Sequence, residues 1–138
     1  MKCFLNYELR IMNYKFMKDN IIYEKALNFA VRIVNLYKFM IEVKQERIMS
    51  KQLLRSGTSI GANISEAIFA QSSVDFIHKL SISQKEANET KYWLTLLERT
   101  EYLSKKEADS MLNDCEQLRK LLSSIILTTK QNHSIHHS

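Results

Sequence analysis

The 138-residue chain contains no proline and only two glycines, Gly57 and Gly61. Turn-rich β-sandwiches and jointed multidomain chains need both residue types for turns and linkers, so those classes are excluded. Two glycines also leave no room for a glycine-rich phosphate-binding loop. The two cysteines, Cys3 and Cys115, supply neither a disulfide framework nor a zinc-ligand set. Long helices joined by short polar connections are the architecture that remains.

Long apolar runs are missing as well. No stretch of about eighteen apolar residues occurs, so the sequence predicts no membrane span. Glu8 and Arg10 lie where a signal peptide has its apolar core, and we therefore expect a cytoplasmic protein. Hydrophobic residues make up 45% of the chain and charged residues 25%, which is typical of a folded domain rather than of disorder. The formal net charge of +5 permits an anionic partner.

The strongest pattern present is an alternating four-and-three spacing of apolar residues, which predicts amphipathic helices. The pattern breaks near residues 44–49, 71–73 and 101–104, which divides it into helices at about 20–44, 50–71, 73–100 and 104–129. Short connections make consecutive helices antiparallel. The sequence predicts an all-α fold, an antiparallel up-down-up-down four-helix bundle over residues 17–130. We expect residues 1–16 to be a loosely ordered extension and residues 131–138 a flexible tail.

Each helix has a predicted buried stripe and a predicted start. The four stripes are Ile22, Ala26, Phe29, Ile33, Leu36, Met40 and Val43; Leu53, Gly57, Ile60, Ile64 and Ala67; Phe76, Leu80, Ser83, Ala87, Thr90, Leu94 and Leu97; and Ala108, Met111, Cys115, Leu118, Leu122 and Ile125. The predicted N-caps are Asp19 or Asn20, Ser50, Ser72 with Asp75 in the first turn, and Ser104 in a capping box with Glu107.

The middle of the second helix, RSGTSIGANISEA, consists mostly of small residues. Each glycine costs about 1 kcal/mol relative to alanine inside a helix, and close approach of another helix is the simplest offset. Gly57 and Gly61 are four residues apart and share a helix face. We therefore expect both to contact a neighbouring helix closely.

A family resemblance rests on three stretches of the sequence. These are Ser56–Glu66, which contains the element S-I-x-A-N-I-x-E, then Asp75-Phe76, and then Lys85–Leu94. They resemble the small bacterial four helix bundle proteins, also called the 23S rRNA intervening-sequence protein family. The resemblance covers residues 17–127, so residues 1–16 stand upstream of it. The residues that match the family pattern and are expected to be structural are Ser59, Ile60, Asn63, Ile64, Glu66 and Glu89.

The resemblance implies a four-helix bundle that assembles as a homopentameric ring. Some members are encoded inside insertions in 23S rRNA genes. A related branch is the accessory protein of diversity-generating retroelements, which binds a reverse transcriptase and nucleic acid. For most members the biochemical role is unknown.

Basic residues are spread along several helices of the chain. Lysine and arginine neutralise phosphates in a salt-dependent, sequence-blind way, although an ordinary solvated helix face has the same composition. The sequence therefore favours a non-enzymatic module that binds RNA, DNA or a protein partner through a basic surface. The candidate nucleic-acid-binding residues are Lys25, Arg32, Lys51, Arg55, Lys79 and Lys85.

The alternative function is a small enzyme that uses Asn63, Glu66, Glu86 and Glu89 for acid–base chemistry. Convergence of these carboxylates on an open cleft would favour it, and pairing of each with a cation or an amide would not. Serines line the second helix, but no histidine accompanies them there as a base. No catalytic residue is predicted.

Metal sites and cofactors are not predicted either. A di-iron centre in a bundle needs two Glu-x-x-His elements, and the sequence has one approximate match, Asp75-x-x-His78. The tail histidines, His133, His136 and His137, are interpreted as incidental. Cys115 is interpreted as a reduced, buried thiol.

Apolar residues outside the stripes predict self-association. A single bundle of this size cannot cover them all, and a soluble monomer rarely exposes large apolar patches. The predicted subunit-interface residues are Trp93, Ile82 and Leu96, with Trp93 as the anchor. The residues themselves predict only a homo-oligomer, and the number five comes from the resemblance.

Overall fold

Four helices make up the fold. The computed structural model describes the backbone of residues 2–137 and the side chains of residues 21–132. The helices are α1 (Lys2–Phe39), α2 (Ile48–Ile68), α3 (Ser73–Arg99) and α4 (Lys105–His137), and a short π-helix, Met40–Lys44, continues α1. No strand occurs within residues 2–137. The predicted all-α four-helix fold is confirmed, with breaks at 45–47, 69–72 and 100–104.

Neighbouring helices run antiparallel. α1 packs on α2, α2 on α3 and α3 on α4, while a smaller contact between α1 and α4 closes the bundle. The direction of α2 against α1 follows from two contacts, since Gly57 lies against Ile33 and the later Gly61 lies against the earlier Ala26. Helices joined by short connections are therefore antiparallel, as predicted.

The core follows the predicted stripes on α2, α3 and α4, which are buried at every position. On α1 the stripe is correct as far as Met40, with Leu36 only partly buried. Val43 is a wrong prediction, since it is 63% exposed. The π-helix is the cause, because its i to i+5 hydrogen bonds add a residue to the turn and rotate the next stripe position out of the core.

The start of α2 differs from the prediction. The helix begins at Ile48, so Ser50 lies inside its first turn and is not the N-cap. The carboxylate of Glu46 instead accepts hydrogen bonds from the amides of Ile48 (3.0 Å), Met49 (2.9 Å) and Ser50 (2.8 Å), and from the Ser50 hydroxyl (2.6 Å). These bonds satisfy donors that a helix start otherwise leaves unpaired. Glu46 is only 8% exposed.

The predicted caps of α3 and α4 are confirmed. The Ser72 hydroxyl oxygen accepts from the amide of Asp75 at 3.1 Å. At α4, the Ser104 hydroxyl oxygen accepts from the Glu107 amide at 3.1 Å, and the Glu107 carboxylate accepts from the Ser104 amide at 2.9 Å. This reciprocal pair is a capping box.

The outer ends of α1 and α4 extend beyond the predicted helix bounds. The helical backbone passes through Asp19 and Asn20, so neither begins the helix, and α4 continues to His137 rather than ending near 129. The side chains of residues 1–20 and 133–138 lie outside the described residues, and Cys3 and the tail histidines are among them. The loose order predicted for residues 1–16 and 131–138 stays a prediction.

Both glycines of α2 contact α1, as predicted, but at different distances. A Cβ atom added to Gly57 would lie 2.8 Å from Cδ1 and Cγ1 of Ile33. One added to Gly61 would lie 3.5 Å from Cβ of Ala26 and 3.6 Å from its carbonyl oxygen, which is ordinary van der Waals contact. Only Gly57 is therefore required by the packing.

Gly57→Ala and Gly61→Ala form a matched pair for this contact. Both substitutions gain the same helix propensity, about 1 kcal/mol, but only the first overpacks Ile33, at a cost of about 1–3 kcal/mol. In urea denaturation, we expect the unfolding free energy of Gly57→Ala to be lower than that of Gly61→Ala by this overpacking cost of about 1–3 kcal/mol. Equal unfolding free energies for the two variants would contradict the contact.

The Glu46 cap makes stability depend on pH. Burial alone would raise the pKa of Glu46, but its hydrogen bonds from the Ser50 hydroxyl and the three amides outweigh burial and hold the pKa below the usual value. A lowered folded-state pKa stabilises the fold above the unfolded-state pKa of about 4.3, and this contribution disappears as the pH falls through the folded-state value. Glu46→Gln should therefore lose about 0.5–2 kcal/mol at pH 7.

The difference in unfolding free energy between wild type and Glu46→Gln should become smaller below about pH 4. Denaturation at several pH values measures it. Glu24→Gln, at an exposed position of α1, changes the charge equally and should leave the stability at pH 7 unchanged. A gap between wild type and Glu46→Gln that stays constant as the pH falls through the acid range would argue against a charged cap.

Candidate functional site on the outer side of α2 and α3

Buried hydroxyl groups fix how α2 and α3 pack together. The Ser83 hydroxyl donates to the carbonyl oxygen of Ile60 at 2.8 Å, and the Thr90 hydroxyl lies 3.0 Å from that of Ser56. All of these side chains are buried. Buried polar groups need such partners, so these hydrogen bonds set the register of α3 on α2 and place the outer side chains.

Ion pairs lie outside this buried layer, along the edge where the two helices meet. The Arg55 guanidinium pairs with Glu89 and lies 3.5 Å from Glu86. Lys79 pairs with Glu66 at 2.8 Å. We call these five residues the charged seam. The seam joins distant parts of the chain, since Arg55 and Glu89 are 34 residues apart.

The charged seam accounts for the carboxylates of the enzyme hypothesis. Glu66, Glu86 and Glu89 each have a cationic partner. The hydrogen bond and the charge of Glu66 raise the pKa of Lys79, which favours the charged form of the lysine. The Asn63 amide donates to the carbonyl oxygen of Ser59 at 2.8 Å. Glu86 Oε2 is buried and, among the described residues, has its ion pair but no hydrogen bond. Each glutamate therefore faces a cation, and the three do not converge on an open cleft.

The residues of the family pattern have contacts within the bundle. Ile60 and Ile64 are fully buried in the core. The Ser59 hydroxyl donates to the carbonyl oxygen of Arg55 at 2.6 Å, one turn back along α2, which is a common way for a helical serine to satisfy its hydroxyl. Their structural role is consistent with this geometry and stays a prediction.

Trp93 lies on α3 beside the charged seam. Its ring packs partly against the core, and it meets the ring of Tyr92 edge to face, with centroids 5.0 Å apart. Within the described residues, its indole Nε1 is buried and has no hydrogen-bond partner. Ile82 and Leu96 are half-buried. The three predicted interface residues are thus incompletely covered by their own chain, and their role as an interface stays a prediction.

The six predicted nucleic-acid-binding residues do not share one surface. Arg32 lies on the side formed by α1 and α4, where it pairs with Asp114 at 2.6 Å and donates to Ser110. Arg55 and Lys79 belong to the charged seam. These three cations are therefore already engaged within the chain.

Lys25, Lys51 and Lys85 are exposed and form no salt bridge within the described residues. Lys25 lines a shallow groove of about 170 Å³ between α1 and α4. Lys51 lies in the first turns of α2, and Lys85 on the outer surface of α3. The available positive charge is thus distributed around the bundle.

Three further exposed residues of α3 are not predicted as site residues from the sequence. Lys91 and Arg99 form no salt bridge within the described side chains, and Tyr92 is 58% exposed. The signal that points to two of them is the seven-residue spacing of Lys85, Tyr92 and Arg99, which places these residues on one helix face.

Cys115 has the environment of an inert thiol. It is 4% exposed, and its sulfur donates to the carbonyl oxygen of Ala87 at 3.4 Å. Burial, with a smaller contribution from Glu116, raises the pKa of the Cys115 thiol to about 11. The thiolate is the reactive form, so a protonated Cys115 is unsuited to nucleophilic chemistry, and its interpretation as a buried thiol is confirmed.

Metal-ligand clusters and membrane-spanning helices are both missing from the described residues. Over residues 21–132, no three His, Cys, Asp or Glu side chains come close enough to hold a metal ion. His78 is exposed on the first turns of α3, away from the core. Over the part of the chain that the structure describes, no helix has an apolar stretch of the length that a membrane crossing requires.

Comparisons with known proteins agree with this architecture. The family model described as 23S rRNA-intervening sequence protein matches residues 18–124. A crystal structure from Bacteroides thetaiotaomicron VPI-5482, of a protein of unknown function from the S23 ribosomal protein family, is 61% identical. The match covers 79% of this chain and 97% of that one, with a TM-score of 0.78. The curated proteins contain no match.

Proposed function

The chain belongs to the 23S rRNA-intervening sequence protein family, and from that premise we propose that it is a non-enzymatic module that assembles with copies of itself and binds nucleic acid. The relative of known structure is described as having unknown function. The proposal therefore depends on this chain's own charge distribution and on the surfaces that it leaves uncovered.

The observation that carries the proposal is the unequal engagement of positive and negative side chains. Within residues 21–132, more than half of the carboxylates are held by cations or by helix-start amides, as in the charged seam and at Glu46 and Glu107. Most lysines and arginines have no such partner. The unpaired cations, among the described residues, are Lys25, Lys38, Lys44, Arg47, Lys51, Lys85, Lys91, Arg99, Lys105, Lys106, Lys120 and Lys130.

Such a surface suits a polyanion. Lysine and arginine release condensed counterions from phosphates, and the resulting affinity depends on salt rather than on sequence. A net charge of +5 on one chain is modest, but an oligomer presents it several times over. RNA and DNA are both accommodated by this argument, and a protein partner is the better hypothesis if neither binds.

The non-enzymatic part of the proposal rests on the charged seam. A general acid or base needs a proton-transfer group aimed at a substrate. Here the three glutamates are aimed at Arg55 and Lys79. Their pairing is the outcome that disfavours the enzyme hypothesis.

Assembly is supported by side chains that the bundle leaves uncovered on two of its sides. Trp93, Ile82 and Leu96 are half-buried on α3, while Leu27 and Val31 of α1 are 46% and 53% exposed. Two different apolar surfaces suit a head-to-tail contact, which gives a ring when its rotation closes. A pentamer is proposed from the family resemblance, and the apolar surfaces themselves support only an oligomer.

The nucleic-acid proposal predicts a steep salt dependence. The double variant Lys51→Ala/Lys85→Ala should weaken binding to all sequences alike. It should also reduce the slope of log affinity against log salt by about 0.7 for each phosphate of a single strand that the two lysines no longer neutralise. Fluorescence anisotropy between about 50 and 200 mM salt, where phosphate binding loses much of its affinity, measures both effects.

The charge-neutral double variant Arg32→Ala/Asp114→Ala is the control, since it removes an arginine that is already paired. It should bind as the wild type does. Absence of binding at the lowest salt, or tight binding that ignores salt, would reject nucleic acid and leave a protein partner.

The assembly proposal predicts a mass well above the 16.2 kDa of one chain in light scattering. Ile82→Lys and Trp93→Ala should lower that mass while circular dichroism still shows a folded helical protein. Val43→Lys, at a position 63% exposed in the π-helix that follows α1, makes the same change of apolar residue to lysine and should leave the mass unchanged. A wild type with the mass of one chain at concentrations well above micromolar would refute assembly, and a dimer would refute the ring.

A further inference from the structure

The outer surface of α3 carries a row of cationic, polar and aromatic side chains. Each residue of a helix turns the chain by about 100°, so Lys85, Asn88, Tyr92, Thr95 and Arg99 fall within an arc of about 80°. We call these five residues the α3 stripe. None of them is an acid, and all but the half-buried Thr95 are exposed.

From this row we infer that the α3 stripe is a binding site for single-stranded nucleic acid, with Tyr92 as a stacking platform for a base. The inference rests on the proposed function and names its substrate class. Proteins that bind single strands combine cations that follow the backbone with aromatic rings on which bases stack. In a duplex the base faces are already stacked, so a tyrosine on a convex helix has no base face to contact.

Tyr92 is held in a position that suits stacking. Its ring meets the ring of Trp93 edge to face, with an interplanar angle of 77°, and Trp93 itself packs against the core. The contact restrains the tyrosine ring, yet the residue remains 58% exposed. A restrained and exposed ring loses little conformational freedom when a base stacks on it.

The cations lie on both sides of this ring. Lys85 and Arg99 are each seven residues from Tyr92, which is about 10 Å along the helix axis. Neither forms a salt bridge within the described residues. A strand that stacks one base on Tyr92 can therefore present phosphates to Lys85 on one side and to Arg99 on the other.

The nearby carboxylates lie outside the stripe, and three of them contact a cation. Glu86 and Glu89 are held by Arg55, and Glu116 of α4 is held by Arg119 at 2.6 Å. Glu98, next to Arg99 in sequence, lies about 100° further round the helix. The stripe is thus positive where a backbone would lie.

A groove of about 220 Å³ between α3 and α4 runs beside the stripe. Asn88 and Lys91 line it from α3, and Asn113 lines it from α4. Neither asparagine side chain has a hydrogen-bond partner within the described residues. Exposed amides beside a stacking ring can bond to the edges of unpaired bases, which single strands offer and duplexes do not.

The test compares single strands with a duplex. Labelled single-stranded RNA, single-stranded DNA of the same sequence and the matching DNA duplex are titrated with the full chain at low salt. Tyr92→Leu keeps an apolar contact with Trp93 but removes the aromatic face. Loss of one stacked base, at about tenfold per 1.4 kcal/mol, should weaken single-strand binding by roughly 5- to 150-fold.

Three comparisons define the expected result. Tyr92→Leu should change duplex binding by much less than it changes single-strand binding, Tyr92→Phe should retain single-strand binding, and Phe69→Ala should have no effect. Phe69 is the matched control because it is an aromatic residue, 83% exposed, in the connection between α2 and α3. Light scattering on each variant checks that the assembly state is retained. Lys85→Ala and Arg99→Ala test the two cations of the stripe and leave the Tyr92–Trp93 contact intact.

Distinct outcomes overturn the inference and the proposed function. Wild-type single-strand affinity in Tyr92→Leu, or an equal loss for single strand and duplex, would overturn the inference while nucleic-acid binding stands. Loss of single-strand binding in Tyr92→Phe at unchanged mass would also overturn it. Absence of binding to all three probes would instead reject the proposed function.

Discussion

Close packing on both sides of the middle of α2 is the constraint on which the rest of the bundle depends. On one side, Gly57 lets the side chain of Ile33 lie against the α2 backbone. On the other side, the Ser83 hydroxyl reaches the carbonyl oxygen of Ile60. Larger residues in this stretch would push α1 or α3 away, because interiors at this density do not absorb added volume. The small residues of α2 therefore fix both the spacing and the register of its neighbours.

The placement of charge follows from this packing. The inner faces of α2 are occupied by buried apolar and small side chains such as Ile60 and Gly57. Its long charged residues therefore lie on the outer edges and meet the outer residues of α3. Arg55 can reach two glutamates there because the buried hydroxyl groups hold α3 in register. Exposed ion pairs of this kind contribute little to stability, but they give Glu86 and Glu89 of α3 a cationic partner. The lysines and arginines beyond the charged seam are left as the available charge.

The sequence predicts the core better than it predicts the edges. Heptad spacing places Leu80 and Leu94 in the core because burial depends on helical periodicity alone. Heptad spacing fails at Val43, where a local π-turn changes the period. The N-cap prediction fails at Ser50, because the carboxylate of Glu46 caps α2 instead. The charged seam could not be derived, since it joins Arg55 to a residue 34 positions away, and such a pair depends on the register of two helices. On the outer surface of α3 the sequence predicts Lys85 but not Tyr92 or Arg99, because no packing rule acts on an exposed face and their seven-residue spacing is the signal that remains.

Trp93 connects the proposed subunit interface with the proposed nucleic-acid site. It packs on the core, contacts Tyr92 of the α3 stripe, and belongs with Ile82 and Leu96 to the proposed subunit interface. Among the described residues, its buried indole nitrogen has no partner, and buried indole N–H groups usually find one. Because the two rings are in contact, a partner subunit that covers Trp93 and a base that stacks on Tyr92 would act on the same pair of side chains. Assembly and nucleic-acid binding would then be thermodynamically linked, and a linkage between two binding events is reciprocal. Whatever assembly does to single-strand affinity, a bound single strand must do to assembly by the same factor.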